Sequence, residues 1–283
     1  MAYTAEVSRT NPSCFLFLID QSGSMQDIMD PATKRTKAQF VADAINRLLQ
    51  NLVIRCAKAE GVRDYYHVGV IGYGAQVGPA FGGKLAGQEL IPIGQVADTP
   101  ARIDERAKKV DDGAGGLVDQ KIRFPIWFEP VANGGTPMCE AFTGAARILR
   151  GWLGQHPDSF PPIVVNITDG EATDTGNDPD RLPGLAQSLK QLTTSDGEVL
   201  LFNLHVSSHG GSPIEFPDAE AGLPDQYARL LFGMSSLLPE YLQRAARQEE
   251  YRITADTRGF IYNADMVAVI RFLDIGTRPS NLR

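Results

Sequence analysis

The run Cys14-Phe-Leu-Phe-Leu-Ile-Asp20-Gln-Ser22-Gly-Ser24-Met25 constrains this chain more than any other stretch. Its first half, Phe15 to Ile19, is unbroken apolar and of strand length, which reads as a strand buried on both faces in the middle of a parallel sheet. Its second half drops at once into Asp20, Ser22, Gly23 and Ser24. Open α/β sheets bind their ligands at the carboxyl ends of the strands. One carboxylate and two hydroxyls at alternate positions, in a turn made flexible by Gly23, suit a hard divalent cation. The same residue types are also ordinary turn and helix-capping residues, so the stretch alone leaves both readings open.

The 283 residues are enough for one large domain or two small ones with a sizeable core. The formal charge of −7, with no compensating basic run, argues against a nucleic-acid-binding surface. Cys14, Cys56 and Cys139 are scattered and odd in number, without metal spacing, as expected of reduced thiols. Met1 to Glu6 lacks a basic region, and Phe15–Ile19 is too short for a signal core or a membrane span. The expectation is a cytoplasmic protein that neither spans a membrane nor binds nucleic acid.

Taken in order, Thr36 to Ala59 has a helical apolar stripe of Phe40, Val41, Ala44, Ile45, Leu48, Leu49, Leu52 and Val53, with Lys37, Asp43, Arg47 and Gln50 between them. Tyr65 to Tyr73 reads as a strand, so a βαβ pattern begins. Gly74 to Asn133 is punctuated by glycine and proline and reads as an insertion at the sheet edge. Within it Val77–Phe81 and Leu90–Ile93 suggest a hairpin, Pro100–Lys109 a short exposed helix and Asp111–Gly116 a flexible loop. Thr136 to Leu153 is the next helix, with Thr136 as a cap and Pro137 in the first position. A strand from Pro161 to Thr168, a helix over Leu182–Leu192 and a strand over Glu198–Val206 follow. Ser207 to Ser236 is a second insertion holding a helix at Gln226–Met234. Helix Leu237–Glu249, strand Phe260–Asn263 and helix Met266–Leu273 close the pattern. The expected fold is α/β: a doubly wound, mostly parallel sheet flanked by helices, one domain over residues 13–275 with irregular insertions at about 74–133 and 207–236.

Three loops next to strand ends or helix starts carry oxygen donors: Asp20-x-Ser22-x-Ser24, Gly134-Gly-Thr136-Pro137 and Thr168-Asp169-Gly170. In a doubly wound sheet such ends converge on one edge. Asp20, Ser22, Ser24, Thr136 and Asp169 together give two carboxylates and three hydroxyls. Mg²⁺ wants about six oxygens and usually keeps some water, which leaves a position for an outside oxygen.

Phe17-Leu-Ile-Asp-Gln-Ser-Gly-Ser-Met25, Gly134-Gly-Thr-Pro137 and Ile167-Thr-Asp-Gly170 resemble the von Willebrand factor A (VWA) domain family, whose metal-ion-dependent adhesion site has Asp-x-Ser-x-Ser, a Thr and an Asp on separate loops. The resemblance covers roughly residues 13 to 275. It implies a Rossmann-like VWA fold and a divalent metal, Mg²⁺ with Mn²⁺ or Ca²⁺ as substitutes, on Asp20, Ser22, Ser24, Thr136 and Asp169. It also implies recognition without turnover: a protein partner's acidic side chain supplies the last ligand, and Thr136 and Asp169 exchange direct and water-mediated ligation. More narrowly, Leu204-His-Val-Ser-Ser208, Phe216-Pro217 and Leu231-Phe-x-x-Ser-Ser236 resemble the stand-alone bacterial TerY-like group. That resemblance implies an adaptor in a stress-response or signalling system with a kinase and a PP2C-type phosphatase as partners; an AAA-type ATPase as partner would instead make the chain a chaperone-like adaptor.

Two other functions stay open beside the binding module. One is a metal-dependent phosphoester hydrolase, which lacks an obvious general base beyond Asp169 or Glu171. The other is a scaffold whose insertions bind a partner while the metal only fixes the loops. Several motifs lead nowhere. A haloacid-dehalogenase-type nucleophile at Asp20 needs an acid two residues on, where Ser22 stands. Gly72 to Gly78 is one residue too long for a dinucleotide loop, and Gly78 to Leu85 has Leu85 where a phosphate loop needs Ser or Thr. The acidic run Glu171, Asp174, Asp178 and Asp180 lacks calcium-loop spacing and reads as a solvated rim. Glu140 favours its helix N-terminus electrostatically. His67, His156, His205 and His209 share no ligand spacing, and His205 reads as a hydrogen-bonded core residue.

Overall fold

Strand β1 (Ser13–Asp20) is buried over its whole length because it has a parallel neighbour on each side and helices above and below. The structure, a computed structural model, describes residues 3–30, 32–111, 117–207 and 211–276. The neighbours of β1 are β2 (Tyr66–Tyr73) and β3 (Ile163–Thr168). Beyond β3 lie β4 (Leu200–Val206) and then β5 (Phe260–Ala264), again parallel. The order is therefore 2-1-3-4-5. The chain winds outward from β1 to β2, then crosses back to build the other half from β3. The reversal lies between β1 and β3, and this is where a doubly wound sheet opens a crevice at its carboxyl edge.

The pleat of β1 divides the core. Phe15, Phe17 and Ile19 join one apolar cluster, and Cys14, Leu16 and Leu18 the other. Helices α1 (Lys37–Cys56), α2 (Met138–Gln155), α3 (Arg181–Lys190), α4 (Gln226–Met234), α5 (Glu240–Gln248) and α6 (Met266–Gly276) cover the two faces. Buried residues of α1, α5 and α6 join the first cluster, and those of α2, α3 and α4 the second. Helix α1 starts from a capping box in which the Thr36 side chain accepts from Gln39 N (3.2 Å) and the Gln39 side chain accepts from Thr36 N (3.0 Å). The second predicted insertion supplies α4 to the helix layer and, through Ile214–Glu215, an antiparallel edge to β5.

Two local expectations are corrected. Val77–Pro79 and Ile91–Pro92 do not pair with each other. Each pairs antiparallel with β2, at Ile71–Tyr73 and His67–Val68 respectively, and so covers the open edge of the parallel sheet. Gly72–Gly78 is the first of these hairpins, not a nucleotide loop. Second, Pro100–Lys109 is no helix: Arg102–Asp111 is a strand paired over ten residues with Leu117–Ile126. Its charges suggested an exposed helix, but its main chain is satisfied by a strand that arrives later. Arg106 stacks over Phe124 at 3.7 Å and donates to Asp43 of α1 (2.7 Å). Asn46 of α1 accepts from Trp127 N and Phe128 N just beyond the ribbon. The loop expected at 111–116 lies outside the described residues apart from Asp111, which ends the strand. Lys37, one of the polar residues set between the apolar positions of α1, is 4% exposed.

Candidate metal centre

The carboxyl end of β1 is locked to its neighbours by main-chain bonds. Gln21 N donates to Tyr73 O of β2 (2.7 Å), Asn133 N to Gln21 O (2.6 Å), and Gly23 N to Gly134 O (2.9 Å). This brings the loop of Thr136 against the loop of Ser22 and Ser24. The approach requires two glycines. A Cβ on Gly74 would stand 2.5 Å from Gln21 O, and one on Gly134, whose φ is +87°, 2.5 Å from Ala75 N.

Asp20 ends β1 and is 1% exposed. Its Oδ1 accepts from Ser22 N (2.8 Å) and its Oδ2 from the Thr168 hydroxyl (2.8 Å) at the end of β3. Burial pushes the Asp20 carboxyl up to about 6, with the nearby Asp169 charge adding to the rise and the bonds from Ser22 and Thr168 opposing it. Among the described residues, no cationic side chain forms an ion pair with Asp20.

Asp169 has a fully buried side chain, held differently. Its Oδ1 accepts from Ser24 Oγ (2.8 Å), and Ser24 Oγ lies 3.0 Å from Ser22 Oγ. Because a carboxylate only accepts, the hydroxyl protons run in one direction, Ser22 to Ser24 to Asp169. Lone pairs of both serine oxygens are thereby left for a cation. Asp169 Oδ2 accepts from Lys37 Nζ (2.8 Å), which also bonds Asp27 Oδ2 (3.0 Å) and Ser24 O (3.5 Å). Burial alone would push the Lys37 ammonium down. Bonds and charge from Asp169 and Asp27 outweigh it, so the group is held above its ordinary value.

Asp20, Ser22, Ser24 and Asp169 thus converge in one bonded set, and Thr136 is 5% exposed on the adjoining loop. The expected helix cap at Thr136 is corrected. Helix α2 starts at Met138, and its free N–H groups at Cys139 and Glu140 are taken by the two oxygens of Asp174 (3.0 and 2.9 Å). Thr136 N donates to Thr173 Oγ1 and its carbonyl accepts from Thr173 N, 2.9 Å each. Asp174 is therefore a capping residue, whereas Glu171, Asp178 and Asp180 are exposed as expected.

The donor set fits a hard divalent ion. Among the described residues it offers two carboxylates and hydroxyl oxygens without soft ligands, around a buried acid that forms no ion pair. Among the described residues, no three His, Cys, Asp or Glu side chains gather as a metal cluster, so such an ion would rely on hydroxyls and water. Lys37 was not expected at the site, and Thr168, named only as part of its donor loop, was not expected to hold Asp20. Lys37 did leave a sequence signal: it lies three and four residues before Phe40 and Val41, in the buried phase of its helix.

Behind the site, a polar chain crosses the second core face. Tyr73 OH donates to Asn166 Oδ1 (2.7 Å), Asn166 Nδ2 to Asn203 Oδ1 (3.0 Å), and Asn203 Nδ2 to Ser235 Oγ (3.0 Å). His205 is a bonded core residue as expected. It stacks on Tyr262 at 4.5 Å, its Nδ1 accepts from Asn263 N, and burial pushes it down to about 4. His67 and His156 meet at 5.3 Å, a contact their spacing does not reveal, and Trp152 Nε1 donates to His67 Nδ1. His209 lies outside the described residues. The three cysteines are free and buried, and among the described residues no helix is long and apolar enough to cross a membrane.

No protein-family model matches the chain, and no curated protein matches it either. Among solved structures, it is similar to the ArnB paralog VWA2 from Sulfolobus acidocaldarius at 12% identity and a TM-score of 0.36, over 69% of this chain and 35% of that one. It is similar to the pilus adhesin SpaC from Lactobacillus rhamnosus GG at 15% identity and a TM-score of 0.47, over 94% and 31%. A third is the vWF domain of the type V pili tip protein Mfa5 from Porphyromonas gingivalis, at 12% and 0.29, over 57% and 39%. The chain thus spans about a third of the length of these structures.

Proposed function

We propose that this chain is a metal-dependent protein-interaction module of the von Willebrand factor A type, a binding protein and not an enzyme. The observation that carries this reading is the one-way hydroxyl chain from Ser22 through Ser24 to Asp169, set beside the buried, uncompensated Asp20 at the switch point of the sheet. In this reading Asp20, Ser22 and Ser24 hold Mg²⁺ or Mn²⁺, and Thr136 and Asp169 ligate directly or through water. When bound, the ion supplies an electrophilic centre for one further carboxylate. A partner protein provides that carboxylate. The TerY-like resemblance extends the reading to an adaptor in bacterial signalling with a kinase or a PP2C-type phosphatase as partner, an AAA-type ATPase being the partner of a chaperone-like adaptor instead.

Calorimetric titration with Mn²⁺ should give one site per chain, lost in Asp20→Ala with the circular dichroism spectrum unchanged. A partner captured in Mg²⁺ should be released by EDTA and not captured by Asp20→Ala or Asp169→Ala. Binding that survives both EDTA and Asp20→Ala would remove the metal from recognition. Turnover of a generic phosphoester with Mn²⁺, abolished by Asp20→Ala, would replace the binding module with a hydrolase.

A further inference from the structure

Lys37 is a cationic element of the centre that the donor pattern does not require. A buried ammonium beside a candidate cation site is electrostatically adverse to the cation, so its presence needs a reason. It sits on the first turn of α1, immediately after the capping residue Thr36, and is 4% exposed. Its three acceptors are Asp169 Oδ2, Asp27 Oδ2 and Ser24 O, none of them on Asp20. Asp27 has a side chain 57% exposed and in good part solvated, whereas that of Asp169 is fully buried. The ammonium therefore compensates Asp169 in particular, and Asp20 remains the uncompensated buried charge.

We propose that Lys37 is a built-in counter-ion that makes metal binding and carboxylate binding depend on each other. The inference rests on the metal-site reading above. With Lys37 present, the two site carboxylates and the lysine sum to one negative charge. A bound divalent ion then keeps a net positive charge and is neutralised only when an outside carboxylate arrives. The metal alone is held weakly, metal and acid together tightly, and by linkage each raises the affinity of the other by the same factor. Without Lys37 the same two carboxylates neutralise the ion by themselves, so the metal binds more tightly while its pull on an external acid weakens. Lys37 is a positioning and charge-setting residue: it reaches the metal only through Asp169 and Ser24.

The test uses the whole chain and Mn²⁺ as probe, followed by calorimetry and by loss of the free-ion electron paramagnetic resonance signal, with and without acetate as a generic carboxylate. One unit charge about 6 Å from a divalent ion changes its affinity about tenfold even at the dielectric constant of water. Lys37→Met should therefore bind Mn²⁺ at least about tenfold more tightly than wild type when acetate is absent. Acetate should tighten Mn²⁺ binding to wild type and do so several-fold less in the variant. Lys37→Arg, which keeps the charge, should behave as wild type. A purely structural lysine would not move the two affinities in opposite directions. Lys37→Gln, able to keep a bond to Asp169, is the second variant if Lys37→Met folds poorly; its melting temperature should rise more with Mn²⁺ than that of wild type. Wild-type binding of Mn²⁺ with unchanged or weaker affinity in both neutral variants would overturn the counter-ion role and leave the metal site standing. Absence of Mn²⁺ binding in wild type and variants alike would overturn the site itself.

Discussion

Asp20 and Asp169 end or follow neighbouring parallel strands, and both side chains are shut away from solvent, yet they carry their charge in opposite ways. Among the described residues, Asp20 is held by Ser22 and by the Thr168 hydroxyl, and no cation pairs with it. Asp169 is held by a hydroxyl and by an ammonium. Burial is costly for an ionised carboxylate, and the two loops meet that cost by different means. The Asp169 loop is neutralised within the fold. The Asp20 loop stays under-compensated, and only there would an added cation gain the full benefit of relieving a buried charge. A site can thus be built from two like residues of which one is satisfied by the fold and the other is left for the ligand.

The contrast can be broken most sharply at Asp20. Asp20→Asn should abolish Mn²⁺ binding, by a hundredfold or more in calorimetry. In metal-free protein the same change should raise stability by about 1–3 kcal/mol at pH 7 in urea melts, since it removes a buried charge without a counter-ion. Next in size, Lys37→Met should lower metal-free stability by about 2–4 kcal/mol, because removing one partner of a buried pair strands the other. If instead Asp20→Asn destabilises and Lys37→Met does not, the two loops do not differ as described.

pH sharpens the same comparison. The folded-state value of the Asp20 carboxyl, about 6, lies above its ordinary 3.8. The folded state therefore holds this proton more tightly, and the contribution of Asp20 to stability falls as pH rises from about 4 to 6 and is flat above. Mn²⁺ must displace the proton, so its affinity should be near constant above about pH 7 and drop up to about tenfold per unit below 6 in titrations across that range. His205 has the opposite sign. Its folded value of about 4 lies below its ordinary 6.5, so its contribution is complete above 6.5 and is lost as pH falls towards 4. The two oppose each other in the same window. Metal-free Asp20→Asn should consequently lose stability more steeply than wild type between pH 6 and 4, and a parallel slope would count against the Asp20 assignment. The smallest effect concerns the neighbouring cap: Asp174→Ala should cost about 1 kcal/mol of stability, read from urea melts.

Much of the architecture was legible because its signals are local. Phe15–Ile19 is apolar at every position since both faces of β1 are covered, and α1 and α2 show helical stripes because each buries a single face. The donors were legible for the same reason: Asp20, Ser22 and Ser24 follow a core strand directly, and Asp169 follows another. The misreadings all concern partners that come from elsewhere. Arg102–Asp111 is a strand because Leu117–Ile126 pairs with it, and its own charges do not say so. Val77–Pro79 and Ile91–Pro92 find the open edge of β2 in place of each other. Thr136 looked like a cap until the carboxylate of Asp174, 35 residues beyond Cys139, took the helix N–H groups.

By itself, then, the sequence determined the strand and helix pattern, the α/β class and the residues that could present oxygen to a cation, since each follows from periodicity or from a residue type at a strand end. The tertiary structure alone decided the 2-1-3-4-5 order that sets β1 beside β3, the direction of the hydroxyl chain, and the pairing of Lys37 with Asp169 across 132 residues. Charge compensation inside a protein depends on distances between groups far apart in the chain. No local pattern encodes those distances until the sheet has closed.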